Sequence, residues 1–363
     1  MKPHVLFVTD HLNTGGAPIV VRDLCVALDR AGARMTLIVL SDRVAHELPD
    51  SVTVHRLPYT ATGWLQRQRR YRNHAQMLDA FLDTHLLTDA SLVVAHLHHA
   101  HQVVSRSQLK DNAWYCLHAD PTIGFLGNKR GLDRLRKRRQ VRKLYQGHRL
   151  IGVSQGILDS LATTFRVQGN PGVALHNPLD LEAIALRSQE TVTDVPEDYL
   201  LYVGRLEQRQ KRFDRLLCAY ADSGVGIPLV LIGEGGARHF IETEIERLGL
   251  QGRVLLLGKR ENPYAYMRRA HALVLSSDYE GFPLVAVEAL ACGTPVVSTD
   301  CPTGPSEILI GELARYLVPL NEPASFANTL RDVVDNPVPV SATTVAHLNA
   351  EQVARRYLAL AGK

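Results

Sequence analysis

An alternation of short apolar runs and helical stretches, occurring twice along the chain, constrains this sequence more than any other feature. In the first half HVLFVTD (His4 to Asp10), RMTLIVL (Arg34 to Leu40), SLVVAHLH (Ser91 to His98), NAWYCLH (Asn112 to His118) and HRLIGVS (His148 to Ser154) are continuous β-rich runs. Each is followed by a loop and a helical segment, such as Pro18 to Ala31, which Gly32 ends. Strands apolar on both faces need cover on both sides, which a parallel, doubly wound α/β sheet provides. The pattern dissolves around Asn177 to Asp198, a stretch containing Pro178 and Pro196 that reads as a linker. It restarts with YLLYVGR, PLVLIGEG, RVLLLGK, ALVLSS and TPVVSTD, between Tyr199 and Asp300.

Two successive α/β units of similar size predict two Rossmann-like domains facing across a cleft, with ligands at the carboxyl ends of the strands. A length of 363 residues favours two domains over one. The expected division is residues 1–178, with the closing amphipathic segment 346–363 packing back on them, and residues 179–345. No run of eighteen apolar residues appears, so nothing is expected to span a membrane. The start, MKPHVLFVTDHLNTGG, reads as strand and loop rather than as a signal peptide. Five scattered cysteines without C-x-x-C spacing argue against disulfide or zinc-ribbon scaffolds and for a reducing cytoplasm.

The net charge of +4 hides an asymmetry. NKRGLDRLRKRRQVRKLYQGHR, Asn128 to Arg149, carries ten Lys or Arg against one Asp, a local +9 that leaves −5 for the rest. WLQRQRRYRNH, Trp64 to His74, is a second basic cluster in the same half. An anionic partner is expected to face this half.

Candidate site residues cluster near strand ends. In SSDYEGFPLVAVEALACGTPVV, Glu280 and Glu288 flank a Gly-Phe-Pro turn and the start of a helix running roughly from Pro283 to Ala291. Its N-terminus is a ready anion site. Glu280 reads either as a first-turn carboxylate favoured by the helix dipole or as a ligand contact. Glu288, among apolar neighbours, needs a ligand or an arginine to offset burial. In VGRLEQRQK, Arg205 and Lys211 emerge at a strand end; they are solvated cations or, together with a helix N-terminus, the grip on a diphosphate. Gly15 and Gly16 in HLNTGGAP would let the backbone approach a phosphate or sugar. His96, His98, His99, His101 and His118 lack an accompanying Asp or Cys ligand pattern, so no metal site is expected and strand-end histidines, His118 above all, fit better.

Taken together these segments resemble the retaining glycosyltransferases of family 4, over nearly the whole chain: TGGAP, IGVSQGILDSL, ALHNPLD, VGRLEQRQK, VLIGEG, GKRENPYAYMRRAHALVLSSDYEGFP, VEALACGTPVV and STDCPTGPSEIL. The versions NPYAYM and DCPTGPSEI look most like bacterial enzymes of lipopolysaccharide, capsule and lipid-linked oligosaccharide assembly. The resemblance implies the GT-B fold and a metal-independent, retaining hexosyltransferase with no cofactor beyond a nucleotide-sugar co-substrate, UDP-linked by preference. It implies that Arg205 and Lys211 hold the diphosphate, Glu280 the transferred sugar and Glu288 the ribose. Leu284 and Val285 would face the phosphate through their N–H groups, with Phe282 and Pro283 in the same donor loop. Gly15 and Gly16 would approach the phosphate, His118 a sugar hydroxyl and Arg260 the base. Pro283 stands where a glycine is frequent, and Lys211-Arg212 replaces a frequent Lys-Gly.

For the acceptor side, Arg134, Lys137, Arg138 and Arg142 are the candidates. Leu132 and Leu135 lie opposite Val141, Leu144 and Tyr145, so this run reads as a bent, solvated helix face or as an attachment to anionic lipid or a phosphorylated glycolipid. That implies a protein peripheral on the inner face of the cell membrane. A nucleotide-sugar epimerase of the same fold and a non-catalytic carbohydrate-binding relative are the alternatives. A nucleic-acid partner is not expected, because the basic runs lack aromatic interleaving.

Overall fold

A computed structural model describes residues 2–13, 15–169 and 172–361, apart from the side chain of residue 342. The chain divides into two compact units, Met1–Leu179 with Leu348–Lys363, and Asp180–His347.

The first unit is built on a seven-stranded, all-parallel sheet of β1 (His4–Thr9), β2 (Arg34–Val39), β3 (Thr53–Arg56), β4 (Leu92–His96), β5 (Ala113–Leu117), β6 (Arg149–Gly152) and β7 (Gly172–Ala174). Their spatial order is β3-β2-β1-β4-β5-β6-β7. Every residue of β1, β4 and β5 is buried, as helices on both faces require. The chain re-enters this unit at its end. The Leu179 N–H donates to the Leu348 carbonyl and the Ala350 N–H to that of Leu179, both at 2.9 Å. Asn349 then caps the helix Ala350–Leu358, accepting the Glu351 N–H at 2.9 Å. That helix packs on Gly16–Arg30 and buries Val353, Ala354 and Tyr357.

The second unit has six parallel strands, β8 (Leu200–Val203), β9 (Leu229–Ile232), β10 (Val254–Gly258), β11 (Ala272–Leu275), β12 (Val296–Thr299) and β13 (Leu317–Val318), in the order β10-β9-β8-β11-β12-β13. The order reverses between β8 and β11, as it does between β1 and β4 in the first sheet. Loops leaving such neighbouring strands diverge and open a crevice. The segments carrying Arg205 and Glu280 leave this pair of strands.

Three strands escaped the sequence reading: β3, β7 and β13. All three are sheet edges of four, three and two residues, and β3 and β7 are largely exposed. These three bury too little to leave a continuous apolar run, unlike the edge strand β10, whose run VLLLG is apolar. The expected linker also holds more structure than foreseen. Residues Leu181–Arg187 form a helix, capped by Asp180 accepting the Ala183 N–H, that packs on the helices Pro263–Arg269 and Leu284–Ala291. The basic run forms one continuous helix, Gly131–Tyr145, with Val141, Leu144 and Tyr145 buried and Leu132 and Leu135 exposed.

Candidate functional site

Two loops at the β8/β11 crevice are stitched together before any charged group is considered. Glu207 caps the short helix Gln208–Lys211, accepting the N–H groups of Arg209 at 3.0 Å and Gln210 at 2.8 Å. The Asp278 N–H donates to the Gln210 carbonyl at 2.8 Å, and the Gln210 amide donates to the Tyr279 carbonyl at 3.0 Å. The Ser276 hydroxyl reaches the Lys211 carbonyl at 2.6 Å. Arg212 and Arg215 both pair with Asp278, at 2.9 and 2.7 Å, and Arg212 also pairs with Asp214 at 2.8 Å. Burial alone would raise the Asp214 carboxyl, but hydrogen bonds from Arg212 and Gln208 bring it down to about 2.

Arg212 occupies the left-handed region, with φ 52°. Glycine is the residue that takes this conformation freely, which gives a physical reason for a Lys-Gly version of the motif. Here ion pairs to Asp214 and Asp278 hold an arginine in it.

On this frame Lys211 Nζ lies 2.6 Å from Glu280 Oε1, and both side chains are nearly buried, at 12% and 10% exposure. The Ser277 hydroxyl donates to the same oxygen at 2.6 Å. Glu280 is therefore not a first-turn ornament: it is a buried carboxylate with its own cation. The Thr303 hydroxyl donates to the Glu280 carbonyl. A Cβ at Gly304, where φ is 94°, would meet Pro283 Cδ at 2.7 Å and the Gly281 carbonyl at 3.1 Å. The CPTGPSE segment thus closes over the back of the Glu280 turn, a supporting role that its sequence did not disclose.

Pro283 is the N-cap and Leu284 the first helical residue, one position later than the sequence suggested. The Ala286 N–H closes the first turn on the Pro283 carbonyl at 3.0 Å. The N–H groups of Leu284 and Val285 precede that bond and keep the partial positive charge of a helix start. Phe282, in the same loop, is buried at 6% exposure, a burial that contributes about 1.5–3 kcal/mol.

Glu288 is half-buried, and the Tyr264 hydroxyl donates to it at 3.4 Å. Arg205 is exposed and makes no ion pair among the described residues. Its carbonyl accepts the Tyr202 hydroxyl at 2.9 Å, and that hydroxyl feels both the Arg205 and Glu280 charges. Arg260 is engaged already. Its guanidinium pairs with Asp194 at 2.7 Å and donates to the Tyr266 hydroxyl at 3.1 Å and the Leu257 carbonyl at 2.5 Å. The second glycine motif, GEGG, has a packing reason: a Cβ at Gly233 would fall 1.8 Å from the Gly204 carbonyl oxygen.

In the first unit, Gly15 is the N-cap of the helix Gly16–Arg30, with no side-chain cap, and a Cβ at Gly16 would meet no protein atom within 4 Å. Thr14 of the same motif lies outside the described residues. The histidine tract disperses. His101 bonds the Tyr145 hydroxyl and the Ala95 carbonyl, both at 3.0 Å; His99 pairs with His74 at 3.0 Å; His98 lies against Phe125. His118 follows β5, half-buried, with Nε2 3.0 Å from His96 Nδ1. Burial lowers His118 to about 4, so this is a pair of neutral rings at neutral pH. Cys116 brings its sulfur within 4.8 Å of both rings, a grouping that crosses β4 and β5 and that the linear tract did not reveal. Burial pushes that thiol up to about 12, and Tyr357 lies 3.8 Å from it.

Of the four acceptor-side candidates, Arg134, Lys137 and Arg138 lie on the half-buried face of the basic helix and only Arg142 faces outward. The outward cations are Arg136, Arg139, Arg142 and Lys143, beside Leu132 and Leu135, which are 83% and 50% exposed. No helix among the described residues is long and apolar enough to cross a membrane.

Comparison with known proteins follows this geometry. The model of glycosyltransferase family 4 matches residues 14–183, and that of glycosyl transferases group 1 matches residues 185–350. A 4-alpha-N-acetylgalactosaminyltransferase of Campylobacter jejuni, named as acting on N-acetylgalactosamine-N,N'-diacetylbacillosaminyl-diphospho-undecaprenol, is 32% identical over 183 residues, 50% of either chain. The lipopolysaccharide 1,6-galactosyltransferase of Escherichia coli is 26% identical over 174 residues, 46% of this chain and 48% of its own. The chain spans about half the length of these curated relatives. Among solved structures, the lipopolysaccharide outer core galactosyltransferase WaaB superposes with a TM-score of 0.70 at 18% identity, covering 98% of both chains. Anabaena HepE in complex with UDP gives 0.70 at 19% identity, covering 99% of this chain and 96% of that one. With two parallel Rossmann-like sheets and a family model matching each half, the chain belongs to the family 4 type of glycosyltransferases and has the GT-B fold.

Proposed function

We propose that this chain transfers a hexose or N-acetylhexosamine from a UDP-sugar to a glycan or lipid-linked acceptor in bacterial surface polysaccharide assembly, with retention and without a metal. The observation that carries the reading is the Lys211–Glu280 pair beside a helix start, with Arg205, which makes no ion pair among the described residues, at the next strand end. Departure of a nucleoside diphosphate develops negative charge on its oxygens. Arg205, Lys211 and the Leu284 and Val285 N–H groups stabilise that charge without reorganising. Glu280, already oriented by Ser277 and Lys211, accepts hydrogen bonds from hydroxyls of the transferred sugar, and Glu288 from the ribose. Gly15 and Gly16 give a phosphate room to approach; neutral His118 accepts from a sugar hydroxyl; Arg260 offers the base its guanidinium face, its N–H groups being engaged. The preference for UDP is supported by the UDP found with HepE.

The outward face of the helix Gly131–Tyr145, cationic and carrying two exposed leucines, suits the surface of an anionic membrane, in keeping with a peripheral enzyme on its cytoplasmic side. Incubation with a panel of nucleotide sugars, followed by measurement of nucleoside diphosphate release, tests the activity. Slow release without acceptor and faster release with it is expected. A sugar altered without any release would instead identify an epimerase.

A further inference from the structure

The first unit contains a groove of about 610 Å³ between the helices Arg70–His85, His98–Val104 and Gly131–Tyr145. Arg70, Arg106, Lys137 and Lys143 line it, together with Tyr71 and His98, and no wall residue is acidic. None of the four cations makes an ion pair among the described residues. Instead three of them rest on aromatic rings. The Arg70 and Arg106 guanidinium carbons lie 4.6 and 5.6 Å from the Tyr71 ring centre, and Lys137 Nζ lies 5.4 Å from that of Phe125. Arg106 also donates to the Gln102 carbonyl at 2.6 Å.

Four cations gathered without a counter-charge repel one another, and in water they would swing apart unless something held them. Here aromatic stacking holds two of them at one end of the groove. The positive field is felt by its neighbours. Burial and the charges of Lys137 and Arg70 lower His98 to about 4. Burial and Lys129 also lower Lys137 below the usual lysine range.

We infer that this groove binds a phosphate or diphosphate group, the anionic portion of a phosphorylated acceptor. The inference rests on the proposed transfer to a lipid-linked or phosphorylated glycan and names the part of that acceptor which the first unit holds. Two arginines converging on one tyrosine offer planar, paired donors suited to phosphate oxygens, and the lysines add point charges. A neutral acceptor would leave these cations uncompensated. The groove shares Gln140 and Lys143 with the outward face of the same helix, but Arg136 and Arg139, beside the exposed leucines, line that face alone.

The test uses the full chain carrying R205A and K211A, which silences the donor diphosphate site, and titrates it calorimetrically with inorganic pyrophosphate. Saturable binding is expected. Adding R70A and R106A should weaken it roughly tenfold or more, while adding R136A and R139A, an equal loss of charge, should leave it within about twofold. Absence of saturable binding, or equal weakening by both pairs, would overturn the inference. A second arm measures sedimentation of the wild-type, R70A/R106A and R136A/R139A chains with phosphatidylcholine vesicles, alone or mixed equally with phosphatidylglycerol. Loss of vesicle binding confined to R136A/R139A supports separate functions for the two faces. Loss confined to R70A/R106A would make the groove a lipid-headgroup contact and overturn its assignment to the acceptor. Nucleoside diphosphate release without acceptor is measured on the wild-type chain alongside. Absent release in wild type with pyrophosphate binding intact would count against transfer alone.

Discussion

In the second unit most cations beside the ends of β8 and β11 are paired, Lys211 with Glu280 and Arg212 and Arg215 with Asp278, and Arg205 alone of this set makes no ion pair among the described residues. In the first unit Arg70, Arg106, Lys137 and Lys143 surround a groove whose wall carries no carboxylate. The histidines are just as unevenly divided, with thirteen in the first unit and three, His239, His271 and His347, in the second. A paired set holds its geometry before a ligand arrives, as a site that stabilises developing charge must. An unpaired set, kept apart from acids, waits for charge brought by a partner. The contrast fits the proposed donor site in the second unit and the proposed recognition role of the first.

The largest effect should come from breaking the paired set. Replacing Lys211 or Glu280 with alanine is expected to lower turnover by roughly 10²–10³. Each single change also strands a nearly buried charge, costing about 3–5 kcal/mol, and the double variant should recover part of that loss in denaturant unfolding. Wild-type turnover in either single variant would remove the pair from the mechanism.

Acid should separate the two units next. His98, His99 and His118 are lowered to about 4 and His101 to about 3, all chiefly by burial, and His96 lies well below its ordinary value of 6.5. Below pH 6.5 the unfolded chain takes up protons that these folded rings refuse, so stability present above 6.5 is lost as pH falls toward 4. Asp10 opposes this. Burial raises its carboxyl to about 6, so between pH 6 and its ordinary 3.8 the folded state binds the extra proton, and burial raises Asp79 in the same direction, but these are two carboxyls against five rings. In the second unit the Asp214 contribution is present above 3.8 and lost only as pH falls toward 2. Hydrogen exchange between pH 6.5 and 4 should therefore accelerate in β1, β4 and β5 before β8 and β11; the reverse order would break the comparison.

Smaller effects test the supports. Gly304→Ala should displace the Glu280 turn through Pro283, costing about 1–3 kcal/mol and lowering kcat, as measured by unfolding and steady-state kinetics. Arg212→Gly relieves a left-handed arginine while removing its ion pairs, so stability should change by less than about 1 kcal/mol; Arg212→Ala keeps the strain and should be the less stable of the two. On the first unit, Leu132→Ser with Leu135→Ser should leave stability within about 0.5 kcal/mol and weaken binding to anionic vesicles. Unchanged vesicle binding would remove the membrane role of that face.

The alternating apolar runs were enough to read ten of the strands and both parallel sheets, because a strand covered on both faces must be apolar throughout. The edges β3, β7 and β13 lay below that signal. Motif spacing likewise made Arg205, Lys211, Glu280 and Glu288 legible as one group. What the group does locally was not legible. Lys211 and Glu280 stand 69 residues apart in the chain, and their 2.6 Å contact depends on β8 lying beside β11. The same holds for Tyr264 beside Glu288, for the burial of Phe282, and for the grouping of His96, Cys116 and His118 across β4 and β5. Composition and periodicity are local properties, so the sequence by itself determined the layers, the strand ends and the excess of positive charge in the first half. Which cations are paired and which stand open was decided by strand order and helix packing, because charge compensation acts through space over a few ångströms, between residues the chain keeps far apart.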